Sequence, residues 1–235
     1  MNAQDRDTLI LSRREREETQ GLLLLDGGAE AYPRMLEAIG AATRRVHLEV
    51  YAFEREGVGT RFVSALVAAA RRGVEVKVIV DGWGSIGGSR ALADTLRAAG
   101  IRVRIYNPLT ALLFGRSWRN HRKILLVDGT VAFIGGINIG DDYAAEEGRP
   151  GWADLALELR GDICVQLGRR LTAGASTLTA GPVRLFLSGF GGGWRLRARY
   201  LAALQHAREK VVLAHAYFLP DRRFVRALKR AARRG

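Results

Sequence analysis

A 13-residue segment occurs twice in this sequence of 235 residues, and the repetition limits what the chain can fold into. Residues 61–73 align without gaps to residues 223–235, and ten of the 13 positions are identical. Convergence of two Ala/Arg-rich helices is the simpler explanation, but matching runs also precede the two copies. In those runs Val46, Leu48 and Phe53 fall opposite Val211, Leu213 and Phe218. The pattern therefore predicts two copies of a strand–helix unit.

Short β-branched runs alternate with amphipathic segments between the two copies, which is typical of an α/β fold. The Asp128-Gly129 pair lies between two apolar runs and predicts a β-hairpin. We therefore expect an α/β fold with a mostly parallel or mixed sheet that is flanked by helices. Helices are predicted at Glu30–Thr43, Thr60–Arg72, Arg90–Ala99, Asp162–Thr179 and Asp221–Arg234. Strands are predicted at Val46–Tyr51, Val74–Val80, Ile101–Tyr106, Lys123–Val127, Thr130–Ile134 and Ala153–Leu159.

The charge is unevenly distributed along the chain. There are 37 Lys and Arg against 24 Asp and Glu, a net charge of +13. Residues 1–181 carry 24 basic and 22 acidic side chains, whereas residues 182–235 carry 13 and two. An excess of this sign favours a polyanionic partner, either nucleic acid or anionic lipid.

Composition excludes several protein classes. Cys164 is the single cysteine, so an intrachain disulfide and a Cys-rich zinc site are both impossible. No run approaches the roughly 18 apolar residues of a membrane-spanning helix. The polar start of the chain is unlike a secretion signal.

Three regions are predicted. Residues 1–20 form a polar lead-in, residues 21–181 a first repeat, and residues 182–235 the start of a second repeat. On this prediction the second repeat is truncated, because a complete copy would need many more residues.

Residues 120–138 contain the most promising chemistry. Alternation along a strand places His121 and Lys123 on one face, and the apolar run that follows them predicts a central, buried strand. An imidazole can attack phosphorus or transfer a proton, and an ammonium group can stabilise phosphoryl oxygens. These residue types suit an anionic substrate. Spacing alone also allows His121 to be an ordinary polar residue at a strand start.

The residues that follow add to this interpretation. Gly135 and Gly136 allow close approach of the backbone, and the Asn138 amide can donate to a phosphate oxygen. Asp128 is either a turn former or a catalytic residue, and local evidence leaves both possibilities open.

The spacing His-x-Lys-x4-Asp-x6-Gly-Gly-x-Asn resembles the HKD motif of the phospholipase D superfamily, and every position of that motif is present. The flanking segments most resemble the bacterial cardiolipin synthase branch, and the resemblance covers about residues 20 to 235. The resemblance implies a phospholipase D-like α/β/α sandwich and two motifs per active site. The resembling flanks are Leu25–Gly27, Glu49–Phe53, Asp81–Ser85, Asn138–Tyr143, Trp152–Asp154 and Ala216–Pro220.

The resemblance also implies a double displacement without a metal or other cofactor. One motif histidine forms a phosphohistidine, and the other protonates the leaving alkoxide and then activates the acceptor. By position, His121 is nucleophile or acid/base, and Lys123 and Asn138 bind phosphate beside Gly135 and Gly136. Asp128 completes the motif. Two further residues are weaker expectations: Asp154 orients His121, and Glu49, like Asp81, lies at a strand end near the substrate.

One feature departs from the family pattern. The remaining histidines are His47, His206 and His215, and none begins a second His-x-Lys pair. We therefore expect half an active site, inactive alone, with the second motif supplied in cis. A homodimer is the weaker alternative.

These observations predict a phosphatidyltransferase of cardiolipin synthase type. The expected substrate is an anionic phospholipid resembling phosphatidylglycerol, and the expected place is the cytoplasmic side of the inner membrane surface, as a peripheral protein. A phospholipase D or an HKD-type nuclease is the alternative enzyme, although nucleic acid is the weaker partner. A non-catalytic module that binds anionic lipid or nucleic acid is the alternative of another class.

Two segments have competing interpretations. Gly82–Gly87 fits a dinucleotide-binding glycine pattern, but no acidic residue ends the next strand, so a substrate-side loop is the better prediction. Leu112–Phe114, beside several basic residues, could enter a lipid interface or simply pack.

Overall fold

A computed structural model describes most of the chain, in eight ranges. These are residues 21–85, 88–106, 120–145, 151–173, 177–180, 183–187, 192–213 and 218–234. The chain divides into two compact units. One comprises Met1–Ala173 with Leu178–Val183, and the other Gly174–Thr177 with Arg184–Gly235. The boundary predicted between residues 181 and 182 separates two sequence repeats, which is a different division from these compact units. It therefore stays a prediction.

The first unit is built on a seven-stranded sheet in the order β1-β7-β6-β5-β2-β3-β4. Strands β2, β3 and β4 are parallel to one another, whereas β1, β7, β6, β5 and β2 are joined by antiparallel pairings. The strands are β1 (Leu22–Asp26), β2 (Arg45–Val50), β3 (Glu75–Asp81), β4 (Arg102–Tyr106), β5 (Ile124–Val127), β6 (Val131–Gly135) and β7 (Leu155–Arg160).

Helices cover both faces of this sheet. They are α1 (Gly27–Ala41), α2 (Val58–Arg71), α3 (Ser89–Ala98) and α4 (Asp162–Ala173). Leu48 and Leu125 enter a core with Ile39 of α1 and Phe62 of α2. Leu126 faces the other way, where a Cβ added to Gly168 of α4 would meet it at 3.4 Å. The predicted α/β/α layering with a mixed sheet is therefore confirmed.

The site depends on the buried strand β5. All four residues of Ile124–Val127 are buried, as the apolar run predicted, because neighbouring strands pair with both edges and helices cover both faces. The predicted hairpin is also present: residues 128–130 connect β5 to β6, with Asp128 and Gly129 at positive φ. His121 and Lys123 lie just ahead of β5.

In the second unit, α5 (Gly192–His206) packs against α6 (Arg222–Arg233). The Arg234 guanidinium donates to the carbonyls of Leu204 and Ala207 at 2.7 and 3.2 Å. In the first unit, Arg72 likewise donates to Ile39, Gly40 and Ala42 at the end of α1. The two copies of the repeated segment thus make equivalent ties between two helices. Strands β8 (Thr177–Ala180) and β9 (Val183–Phe186) lie earlier in the chain than this pair.

Several predicted elements differ from the structure. The helix predicted over Asp162–Thr179 ends at Ala173, and β8 follows it, because the threonines and Gly174 of that stretch favour helix poorly. Strand β1 was not predicted, since a run of leucines fits a helix or a strand equally well. Val211–Leu213 matches β2 in sequence, but no described strand pairs with it, and a strand needs a hydrogen-bonded neighbour.

Some predictions fall outside the described residues. These are the polar lead-in at residues 1–20 and the hydrophobic loop at residues 112–114. In the ranges that are described, every helix is too short or too polar to cross a bilayer.

Candidate active site

His121 and Lys123 form the centre of the site at the start of β5. The Lys123 ammonium lies 3.0 Å from Nδ1 and 3.3 Å from Nε2 of His121, and it donates to the His121 carbonyl at 3.2 Å. The His121 ring packs on the Tyr51 ring, with centroids 4.6 Å apart. His121 is exposed whereas Lys123 is only 8% exposed, so an accessible imidazole lies above a buried amine.

Burial changes the acidity of Lys123. Desolvation favours the neutral amine and lowers the pKa of Lys123 to about 8, and the negative charge of Asp154 opposes this shift only in part. A nearby anion would favour the charged form again. The amine is therefore suited to a site that receives an anionic group.

Two buried carboxylates hold the segment that carries His121. Asp81, at the end of β3, is fully buried and accepts from the Asn120 backbone N–H at 2.9 Å. Glu49 of β2 is 4% exposed and accepts from the Asn120 amide at 3.3 Å. Glu49 also lies 2.9 Å from Nε2 of His47 and 3.6 Å from the Arg122 guanidinium. Residues 120 and 122, on either side of His121, are thus held by carboxylates from β2 and β3.

These contacts also set the state of Glu49. Burial raises the pKa of Glu49, but the hydrogen bond and charge of His47, with Arg122 and Asn120, lower it below its usual value overall. The carboxylate is therefore ionised and occupied by its neighbours. Glu49 was predicted to bind substrate, whereas its contacts favour a role in positioning.

The Asn138 amide is fixed from both sides. Its Oδ1 accepts from the Ala52 backbone N–H at 3.0 Å, and its Nδ2 donates to the Tyr143 hydroxyl at 2.8 Å. Ala52 directly follows Tyr51, which supports the His121 ring. Asn138 is buried, so its orientation is well determined relative to the His121–Lys123 pair.

Gly135 and Gly136 allow a close approach as predicted, and the group that approaches them is the chain at the start of strand β7. A Cβ at Gly135 would lie 2.2 Å from the Leu155 carbonyl oxygen, and one at Gly136 would lie 2.1 Å from the Asp154 carboxylate. The Gly135 N–H also donates to the Lys123 carbonyl at 3.4 Å. The two glycines therefore bring Asp154 beside Lys123. The predicted contact between Asp154 and His121 stays a prediction.

Asp128 lies at the opposite end of β5. The four residues of that strand alone separate it from Lys123 by roughly 13 Å. Its carboxylate accepts from the backbone N–H groups of Thr43, Arg44 and Arg45 at 2.7 to 2.9 Å. The structure thus brings together every other predicted site residue, whereas Asp128 stabilises a turn.

Three further residues belong to the site without having been assigned a role from sequence. Tyr51 continues the alternation of His47 and Glu49 along one face of β2, and that signal could have identified it. Asn120 and Tyr143 lie inside the matching segments, but their partners come from distant parts of the chain. Those contacts are visible only in the folded structure, because they join residues far apart in sequence.

The glycine-rich segment after β3 lies beside the site. Ser85 Oγ accepts from the Phe53 N–H at 3.1 Å, which places this turn next to the Tyr51–Phe53 segment. Residues 86 and 87 are outside the described ranges. Within the described part of the chain, no cluster of three or more His, Cys, Asp or Glu has the arrangement of a metal site.

Comparisons with known proteins identify the family of this chain. Residues 35–147 match the family described as "Cardiolipin synthase, PLD-like domain". Cardiolipin synthase B of Escherichia coli strain K12 is 33% identical over 246 aligned positions, which cover 93% of this chain and 58% of that protein. The chain thus spans somewhat more than half the length of this relative.

Solved structures share the fold. The phospholipase D family member Nuc from Salmonella typhimurium has a TM-score of 0.51 and 22% identity, covering 65% of this chain and 91% of Nuc. Phosphatidylserine synthase from Haemophilus influenzae has a TM-score of 0.54 and 14% identity, covering 67% of this chain and 37% of that protein. The predicted family is confirmed: the chain belongs to the phospholipase D superfamily and is most clearly related there to cardiolipin synthases.

Proposed function

We propose that this chain provides one half of the active site of a phosphatidyltransferase of cardiolipin synthase type. The observation that carries the proposal is the pairing of the exposed His121 imidazole with the buried Lys123 ammonium at 3.0 Å. A nucleophile beside a fixed cation suits attack on an anionic phosphodiester. The identity to cardiolipin synthases supports a phospholipid as that phosphodiester.

The proposed reaction has two displacements on phosphorus. In the first, His121 forms an N–P bond to the phosphatidyl group of a phosphatidylglycerol-like donor. The P–O bond to the glycerol headgroup breaks, and the leaving oxygen takes a proton from a second histidine. In the second, an acceptor hydroxyl attacks, the N–P bond breaks, and the acceptor proton returns to that second histidine. With phosphatidylglycerol as donor and acceptor, the products are cardiolipin and glycerol.

Lys123 and Asn138 have the complementary role of holding phosphoryl oxygens. The cation neutralises charge on the pentacoordinate transition state, and the Asn138 amide donates from a fixed direction. Asp154 keeps negative charge near the amine, which favours its protonated form. His121 and the second histidine exchange the nucleophilic and acid/base roles if the second one attacks first.

The second histidine belongs to another His-x-Lys motif. The curated relative is longer than this chain, so a motif in cis is our first choice, and a second copy of the chain is the alternative. We place the reaction at the cytoplasmic face of the inner membrane, with the protein bound peripherally. Water as acceptor would convert the same chemistry into phospholipase D activity.

The test is to incubate the protein that carries this chain with phosphatidylglycerol vesicles and to quantify lipid products by mass spectrometry. We expect cardiolipin and glycerol, and His121→Ala should reduce their formation by at least about a thousandfold. His206→Ala, which removes a histidine outside the site, is the matched control. Phosphatidic acid in place of cardiolipin would show a hydrolase. Undiminished turnover in His121→Ala would refute the role of His121.

A further inference from the structure

The groove between α5 and α6 has a composition that helix packing does not explain. It has a volume of about 250 Å³ and is lined by Leu201, Gln205, Ala227 and four arginines, which are Arg223, Arg226, Arg230 and Arg234. We call it the arginine groove. This volume is ample for a phosphate group.

The arginines of this groove lack acidic partners in the described part of the chain. The ion pair described nearby joins Asp221 to Arg197, outside the groove. Arg226 donates through Nε to the Arg222 carbonyl, and Arg234 ties α6 to the end of α5. Like charges four residues apart on a helix repel one another. An anion in the groove would relieve that repulsion.

The first unit supplies an internal control for this groove. Helices α1 and α2 repeat the packing of α5 and α6, including the equivalent arginine–carbonyl tie. The 13-residue segments differ at three positions, and each difference adds a cation in the second copy: Ser64 to Arg226, Val67 to Lys229 and Ala68 to Arg230. Two of these three added cations line the groove. Because α1 and α2 pack without them, the helix pair does not need these charges.

The equivalent positions of the first unit show which side of the α5–α6 pair carries the arginine groove. Gly40, Arg61, Ser64 and Ala68 are all exposed, whereas Ile39, Phe62 and Leu66 face the sheet and are buried. The groove positions therefore lie on the solvent side of the helix pair and not on the side that packs against a sheet.

We propose that the arginine groove binds the phosphate headgroup of an anionic phospholipid, and so attaches the protein to an anionic membrane surface. The choice of lipid rests on the proposed function, in which phosphatidylglycerol is the substrate. Guanidinium groups bind phosphate oxygens in bidentate pairs, and Arg226 and Arg230 project into one groove from successive turns. The residues lining the groove, all in the described ranges, include no aromatic side chain on which a nucleic-acid base could stack.

The test measures vesicle binding, not turnover. Sedimentation would compare vesicles of phosphatidylcholine alone with vesicles of phosphatidylcholine and phosphatidylglycerol in equal amounts. The double variant Arg226→Ser with Arg230→Ala restores the residues of the first copy and should therefore fold. The control, Arg222→Thr with Lys229→Val, removes equal charge from the same helix at positions that do not line the groove, and it also uses first-copy residues.

We expect the groove variant to bind the phosphatidylglycerol vesicles about tenfold to thirtyfold more weakly, and the control about threefold at most. Equal losses in the two variants, or no loss in the groove variant, would overturn the proposal. A groove variant that loses single-stranded DNA binding but keeps vesicle binding would also overturn it, in favour of nucleic acid. Turnover of phosphatidylglycerol is scored separately in the same vesicles: vesicle binding that depends on the groove, without any turnover, would contradict the proposed chemistry and leave this site standing.

Discussion

The ionisation of Lys123 governs what the candidate site can do at a given pH. Burial lowers the pKa of Lys123 to about 8, so the amine is charged below that pH and neutral above it. The charged fraction then falls about tenfold for each further pH unit. If the ammonium holds phosphoryl oxygens, the KM for phosphatidylglycerol should rise as the pH increases through about 8.

A variant isolates this effect from other titrations. Lys123→Arg keeps its charge at every accessible pH, so we expect the rise in KM above pH 8 to disappear, although the planar guanidinium should lower kcat. Steady-state kinetics between pH 6 and 10 would measure both. A wild-type KM that stays constant through this range would contradict a charged Lys123 as the phosphate ligand.

Two roles can be distinguished for Glu49: it either binds substrate or positions the segment that carries His121. Its carboxylate is occupied by His47, Asn120 and Arg122, so Glu49→Ala should let residues 120–122 shift and displace the His121 ring. We expect kcat to fall by about a hundredfold because small misplacements are costly, with KM nearly unchanged. Glu49→Gln keeps a hydrogen-bond acceptor and should recover part of the rate.

The outcome distinguishes the two roles of Glu49. An increase in KM with constant kcat would show that Glu49 contacts the substrate, as the sequence suggested.

The contacts of Asp81 with the Asn120 and Trp83 backbone provide the same kind of support from β3.

At the scale of elements, Asp128 joins the β5–β6 hairpin to the connection between α1 and β2. Its carboxylate accepts three backbone N–H groups and the Thr43 hydroxyl, and its φ of +53° lies in the left-handed region. Asp128→Ala should lower the free energy of unfolding by about 1–3 kcal/mol. Asp128→Asn, which tolerates that φ and keeps a carbonyl acceptor, should cost less.

The contribution of Asp128 depends on pH in a definite direction. Burial alone raises its pKa, but the hydrogen bonds from Arg45, Thr43 and Arg44 together outweigh burial and lower the pKa to about 2, from the usual 3.8. The folded state therefore binds this proton less readily than the unfolded state. The stabilisation is complete above about pH 4 and is lost as the pH falls toward 2. Denaturation of wild type and Asp128→Ala at pH 7 and pH 3 checks this; a difference that does not shrink at pH 3 would contradict it.

At the scale of the molecule, one core on a single face of the sheet joins the elements that position the site. Phe62 of α2 is fully buried and meets the rings of Tyr32 and Phe53 edge-on at 5.4 and 6.5 Å. Tyr32 in turn donates to the Asn138 carbonyl at 2.8 Å. The core therefore extends from α2 to the backbone of Asn138.

Removing Phe62 should be costly for the first unit. We expect Phe62→Ala to lower its free energy of unfolding by about 3–5 kcal/mol, because the cavity cannot be filled. Leu155→Ala, at a residue that is 39% exposed, should cost less than about 1 kcal/mol. Guanidinium denaturation would measure both variants. Similar losses in the two would show that the ring cluster does not organise this core.

The sequence by itself determined the local pattern of this protein. Alternation and hydrophobic runs predicted most elements of the first unit, the Asp-Gly hairpin and the burial of β5, because these depend on neighbours in sequence. The spacing from His121 to Asn138 also indicated the site, since a strand and a hairpin translate spacing directly into position.

Tertiary structure decided which of these residues share an environment. Asp128 and His121 belong to one motif, yet β5 separates them, while Asn120 and Tyr143 join the site through partners distant in sequence. Val211–Leu213 repeats the pattern of β2 but forms no described strand, because a strand depends on hydrogen bonds from another part of the chain. Long-range pairing and burial also set the low pKa of Lys123 and formed the arginine groove, and no local pattern contains either.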